Sequence, residues 1–246
     1  MNRMLVICAV LCVAVAAAVA QDKPVPGFKS SLSAGVSLAG GNSETLQANA
    51  ALATEGEKIG LGSVRAGVDG NYGESTIADK TDTTLKNAHA FANVKKTISP
   101  MTFGCLDASV LYDDMAKVDY RAILGPGLGF YILKEDHRWK SLSVEAGASY
   151  LWKKEAGTVD SYIAFRAAER CVYMLGEQAK LSQSVDYLPK AEDLSDYLLT
   201  AEICAEAAMT STLNLKISLQ DKYNSMPGTG LKNNDLTLIA GISVSL

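Results

Sequence analysis

Beyond residue 20 the chain has no uninterrupted apolar run of the length, about 20 residues, that a helix needs to cross a bilayer. Any membrane residence of that part would have to be as a closed sheet, because every backbone polar group in lipid must be paired. Cysteine is scarce and poorly placed: of five, only Cys105, Cys171 and Cys204 follow residue 20, and no Cys-x-x-Cys or Cys/His spacing occurs, which excludes a zinc module. Positive charge is also short. The formal charge of −4 becomes about −5 when Arg3 is set aside, and this excludes the basic surface that nucleic acid requires. Aromatic residues make up only 7% of the chain, a thin supply for two interfacial girdles.

Histidine is scarcer still, with two in the chain, and this narrows catalysis. His137 lies in the charged turn Lys134-Glu135-Asp136-His137-Arg138. His89 alternates with Asn87, Phe91 and Asn93, which places an orienting amide on its own face. No Gly-x-Ser-x-Gly elbow supplies a nucleophile, so the chain reads as a non-enzyme, with a lipid hydrolase using His89 as the remotest alternative. Glu192 to Asp196 and Asp113-Asp114 lack the ligand spacing and glycine of a calcium loop, so no metal or cofactor is expected.

What is present begins with an export signal. Arg3 precedes an uncharged stretch from Met4 to Val19, and Ala18-Val19-Ala20 places small residues before a cleavage point at Gln21. The expected organisation is a signal over 1–20, a short lead-in over 21–28 and one domain over 29–246. That domain divides into about twelve alternating runs. In the last, Leu236, Leu238, Ala240, Ile242, Val244 and Leu246 occupy every second position between Asp235, Thr237, Gly241, Ser243 and Ser245. The run before it repeats the order, with Leu213, Leu215, Ile217 and Leu219 on one side and Asn214, Lys216, Ser218 and Gln220 on the other. Such a final strand needs a partner, and pairing with the first strand closes a barrel. Thr45–Glu55, Phe165–Leu175 and Leu199–Met209 are rich in helix formers, yet Tyr197, Leu199, Ala201, Ile203 and Ala205 still alternate with polar neighbours, and all three read as strand.

The connections divide by parity. Those after odd-numbered strands (Gly73 to Thr83, Asp113 to Val118, Tyr187 to Asp196, Asn224 to Asn233) read as long and polar. Those after even-numbered strands (Gly56-Glu57-Lys58, Ser99-Pro100, Gly176-Glu177) read as short, with Gly40-Gly41-Asn42 and Lys134 to Lys140 as exceptions. Long loops on one rim and tight turns on the other are how an outer-membrane barrel is built. The fold expected is all-β: a closed, antiparallel, up-and-down transmembrane β-barrel of about twelve strands behind a cleavable signal. At Pro126, between Gly125, Gly127 and Gly129, a bulge or sharp bend is expected, since proline removes a ladder donor.

Several segments then come in a specific order: Gly40-Gly41-Asn42-Ser43-Glu44-Thr45, Asp119-Tyr120-Arg121 running into Gly125 to Tyr131, Val144-Glu145-Ala146-Gly147, and Tyr187-Leu188-Pro189 with Glu192-Asp193 and Asp196-Tyr197. The set resembles the salt-induced outer-membrane protein family, also called domain of unknown function 481, over essentially the whole exported part. The resemblance implies a Gram-negative-type outer-membrane barrel with no established activity, and no catalytic residues to carry over. The chain departs from such barrels in ending on Leu246 rather than an aromatic residue.

If the aliphatic alternates face lipid, the interior carries Lys86, His89, Asp107, Glu145, Arg166, Arg170, Glu202, Glu206 and Lys216. Mixed charge of this kind suits either a narrow pore for small solutes or ions or a cross-linked structural interior. The expected partners are outer-membrane lipid, the barrel-assembly machinery during biogenesis and small solutes or ions. A rival from another class is a soluble periplasmic barrel that binds an apolar ligand inside.

Overall fold

The computed structural model describes residues 28–39, 44–58, 62–77, 80–136 and 138–245. The expected export signal, most of the expected lead-in, the turn at Gly40-Gly41-Asn42, His137 and Leu246 lie outside these residues. Twelve strands follow one another: β1 (Phe28–Ala39), β2 (Glu44–Lys58), β3 (Gly62–Ile77), β4 (Lys80–Thr97), β5 (Thr102–Asp113) and β6 (Val118–Asp136). Then come β7 (Trp139–Glu155), β8 (Thr158–Met174), β9 (Ala179–Pro189), β10 (Tyr197–Ala208), β11 (Leu213–Asn224) and β12 (Asn234–Ser245). Each strand pairs antiparallel with the next, and β12 returns to β1, so the sheet is a closed barrel. The three helix-prone segments are strands, because closure leaves their backbone groups no partners but the neighbouring ladders.

Side chains alternate across the wall. In β8, Tyr162, Ala164, Arg166 and Ala168 are buried, while Ile163, Phe165 and Ala167 between them are exposed. In β6, Leu124, Leu128, Phe130 and Ile132 point outward, and Gly125, Gly127 and Gly129 inward. Leu128 is 63% exposed while Arg166 is 7% exposed, the reverse of the order that a soluble ligand-binding barrel requires. The few aromatic residues are concentrated at the ends of this apolar band. Tyr150 stacks edge-on against Trp152 at 4.4 Å, and Tyr197 lies 5.3 Å from Tyr187 and 5.7 Å from Tyr223, near the rim formed after odd-numbered strands, called here the upper rim. Trp139 and Tyr173 pair at 4.9 Å near the lower rim.

Three expectations about the connections and bends are corrected. Gly73 to Thr83 is mostly ladder, since β3 continues to Ile77 and β4 begins at Lys80. Lys134 to Lys140 is likewise strand up to Asp136 and again from Trp139. Polar composition marks contact with water, and backbone pairing can persist there. The longer connections, 190–196 and 225–233, both lie on the upper rim. Pro126 makes no bulge: Leu124 pairs with Tyr150 and Gly127 with Gly147 in one register, and the β6–β7 register shifts lie at Val118/Tyr120 and Tyr131/Leu133.

Candidate functional site in the barrel interior

The inward faces of β4, β5, β7, β8 and β9 bring one charged network together. Arg166 is its centre, with Nη1 2.9 Å from Glu145 Oε2 and 3.0 Å from Asp107 Oδ2, and Nη2 3.2 Å from Asp186 Oδ1. Arg170 grips both Asp186 oxygens, at 2.7 and 2.8 Å. Lys95 Nζ donates to Glu145 Oε1 at 2.7 Å and sits 4.8 Å over the Phe103 ring. Asn93 donates to Asp107 Oδ1 at 2.6 Å, whereas Asp107 Oδ2 meets Arg166 as a charge pair without hydrogen-bond alignment. Three cations, Lys95, Arg166 and Arg170, thus face three carboxylates, Asp107, Glu145 and Asp186. Glu145 and Arg166 are almost fully buried, and a buried charge is tolerated only when paired in this way.

The glycines beneath the network make room for it. Phe103, 1% exposed, lies across Gly129, where a Cβ would collide with its ring, and Cys105 Sγ lies across Gly127. The bulky groups come from the adjacent strand β5. Above the network, Leu151, Tyr162, Ala164, Leu188 and Leu198 form a small apolar core, with Lys153 and Lys190 set 5.4 and 4.8 Å over the Tyr162 ring. Arg121 and Lys153 both bind Glu155 near this core.

The residues singled out from the sequence fall into three groups. Asp107, Glu145, Arg166 and Arg170 join in the central network. Glu202, Glu206 and Lys216 share the inward face of β10 and β11, with Glu206 3.3 Å from Lys180 and opposite Lys216, and Glu202 accepting from Ser218 at 2.6 Å. His89 stands apart with Asp69 at 3.1 Å and Phe91 at 5.7 Å, so its orienting partner is a carboxylate across the ladder rather than Asn87 or Asn93. Lys86 is a correction. It shares the outward parity of Ala88, Ala90 and Ala92, lies beside Tyr72 and reaches Asp114 at 3.3 Å. Both faces of β4 are polar at that end, so alternation alone did not show which one turned inward; Lys86 and His89, three positions apart, cannot share a face of a regular strand. Lys95, Asp186 and Asp69 were missed, and Asn93 was singled out only as an orienting amide for His89. Parity counted from His89 reaches Asn93 and Lys95, and parity counted from Leu188 reaches Asp186, so the signal was present.

Cys105, Asp107 and Glu145 place one ligand atom each within 4.8 Å of one another. Lys95 and Arg166 already hold Glu145, and two adjacent cations oppose a third, so this donor set does not fit a metal ion.

Among solved structures, the NanC porin is similar at 10% identity and a TM-score of 0.54, over 89% of this chain and 100% of that one. The translocator domain of the autotransporter NalP from Neisseria meningitidis is similar at 12% identity and a TM-score of 0.47, over 94% and 92% of the two chains. The KdgM porin is similar at 8% identity and a TM-score of 0.45, over 89% and 99%. No curated protein matches the sequence. The likeness to NanC shows a shared fold, the closed barrel of outer-membrane type. The family described as protein of unknown function, DUF481, matches residues 32–246, and the chain belongs to that family.

Proposed function

We propose that the protein is an integral outer-membrane barrel, inserted by the barrel-assembly machinery, that passes small solutes or ions through a narrow interior and has no catalytic role. The observation that carries this is the asymmetry of the interior wall. Bulky charged groups crowd β4 to β9, whereas the facing wall of β12, β1 and β2 presents Ser243, Ser31, Ser33, Ala51 and Ala53; beyond it on β3, the Phe91 ring covers Gly67 and Arg65 lies over that ring. A charge-balanced network on one side and small side chains on the other leave a passage along the second, with fixed charges beside it to act on solutes. His89 and Asp69 line the same side.

Planar bilayers test the reading. The purified chain should conduct, and Ala51→Trp should reduce the current by filling the small-residue wall. Glu145→Gln leaves the network one charge positive and should move the reversal potential toward anions; Arg166→Gln should move it toward cations. A folded barrel that carries no current would defeat the passage and favour a structural envelope role, the salt-stress connection implied by the family resemblance.

A further inference from the structure

The ladder that closes the barrel is short. Between β1 and β12 the described pairs run only from Ser31↔Ser245 to Ala34↔Ile242, four in all, while the same β1 pairs with β2 from Phe28 to Ala39. Above this seam, Gly35 to Ala39 and Asn234 to Gly241 keep their outer partners on β2 and β11, but among the described residues no ladder pair joins them to each other. The ladder stops at two facing glycines. A Cβ on Gly35 would collide with the Ala240 carbonyl, and one on Gly241 with that of Ala34, so the backbones cross there without room for a side chain.

A cleft opens directly above. Its lining takes Val36, Ala48, Leu238 and Ala240 from the outward parity and Gln47, Asn49, Asn71, Leu85, Thr237 and Ile239 from the inward one, so it lies in the wall rather than wholly on one side of it. Leu238 is 64% exposed and lies below Tyr223 of the upper aromatic girdle, which places the cleft within the apolar band. Unpaired strand edges facing lipid do not persist unless they line a cavity. Among the described residues, no charged side chain borders the cleft. Its interior end sets the amides Gln47, Asn49 and Asn71 beside Leu85, Thr237 and Ile239: Asn71 donates to Asn87 at 2.8 Å, and the buried Asn49 Oδ1 has no hydrogen-bond partner.

We infer that the upper β1/β12 seam is a lateral portal for an uncharged amphiphile, whose hydroxyl or amide head donates to Asn49 Oδ1 from the interior while its apolar tail leaves between Val36 and Leu238 into the upper leaflet. Neutral lining rejects a charged head, which would be desolvated without a counter-charge. The unsatisfied acceptor selects a donor over a bare hydrocarbon. The inference rests on the reading of the barrel as a passage and adds to it a second exit and a class of cargo.

The probe is monodecanoylglycerol with a diazirine in its tail, applied to the full chain in lipid nanodiscs, with the same tail on a phosphocholine head as comparison. Illumination should label 47–49 and 237–240 with the glycerol probe in preference to the phosphocholine one, and unlabelled monodecanoylglycerol should compete. Asn49→Leu should lower this labelling by about fivefold, the worth of one hydrogen bond. Val36→Cys with Ala240→Cys, which face each other if the seam register is continued, should suppress it when oxidised and restore it on reduction. These two variants are made with Cys171→Ser to remove an outward thiol, and a heat-dependent gel shift confirms folding. Equal labelling by both heads all round the band, or labelling indifferent to the closed seam, overturns the portal. Current measured on the same samples separates the two readings, because closing the seam should leave axial conductance intact.

Discussion

Gly129 illustrates how single positions control this interior. The Phe103 ring occupies the space where its side chain would be, so Gly129→Ala should destabilise the barrel by about 1–3 kcal/mol through overpacking. Adding Phe103→Leu should recover part of that loss, and urea unfolding in lipid vesicles of the two single variants and the double variant measures the coupling. At the upper rim, Asp193 accepts from the Ser195 hydroxyl at 2.6 Å and from its backbone N–H at 3.0 Å. The hydroxyl, then the N–H, hold the Asp193 carboxyl below its ordinary value. Because the folded pKa is the lower one, the loop has this stabilisation in full above the unfolded aspartate value, and loses it as pH falls through the lowered folded value. Carboxyl-carbon NMR should find Asp193 titrating below an ordinary aspartate, and Ser195→Ala should move that titration upward.

At the scale of the element, the turn between β7 and β8 holds Ala156 at φ 48° and Gly157 at φ 81°, the paired left-handed conformation of a two-residue hairpin. Alanine is disfavoured there because its Cβ approaches the following carbonyl, by about 1–2 kcal/mol. Ala156→Asn creates the preferred Asn-Gly pair at an exposed site and should raise stability by about 1 kcal/mol, read as a higher urea midpoint. An unchanged or lower midpoint would show that Gly228, which packs beside Ala156, constrains the turn more than its backbone does. In β8, Glu169 points outward between Ala167 and Cys171 and accepts from Gln183 at 3.3 Å, a polar pair in an otherwise apolar face. Strand elements here tolerate such exceptions because pairing, rather than side-chain polarity, holds them in place.

For the whole molecule, the inverted distribution of polarity predicts how it leaves a cell envelope: high salt should release none of it and detergent all of it, and salt release would contradict the bilayer reading. Alternation was legible wherever one face is aliphatic, as in β11 and β12, because a pleated strand forces period two on the side chains. It was silent at the polar end of β4, where Lys86 was assigned to the wrong face, and at the rims, where Gly73 to Thr83 looked like loop but pairs. By itself, the sequence determined the strand count and the parity of most strands, since both follow from local spacing; that the aliphatic face looks outward was decided by the closed barrel. Only the tertiary structure decided that Arg166 gathers Asp107, Glu145 and Asp186 from three other strands, and that the closing ladder ends at Gly35 and Gly241. Those depend on stagger between strands distant along the chain, and shifting one strand by two residues preserves every alternation while changing every partner.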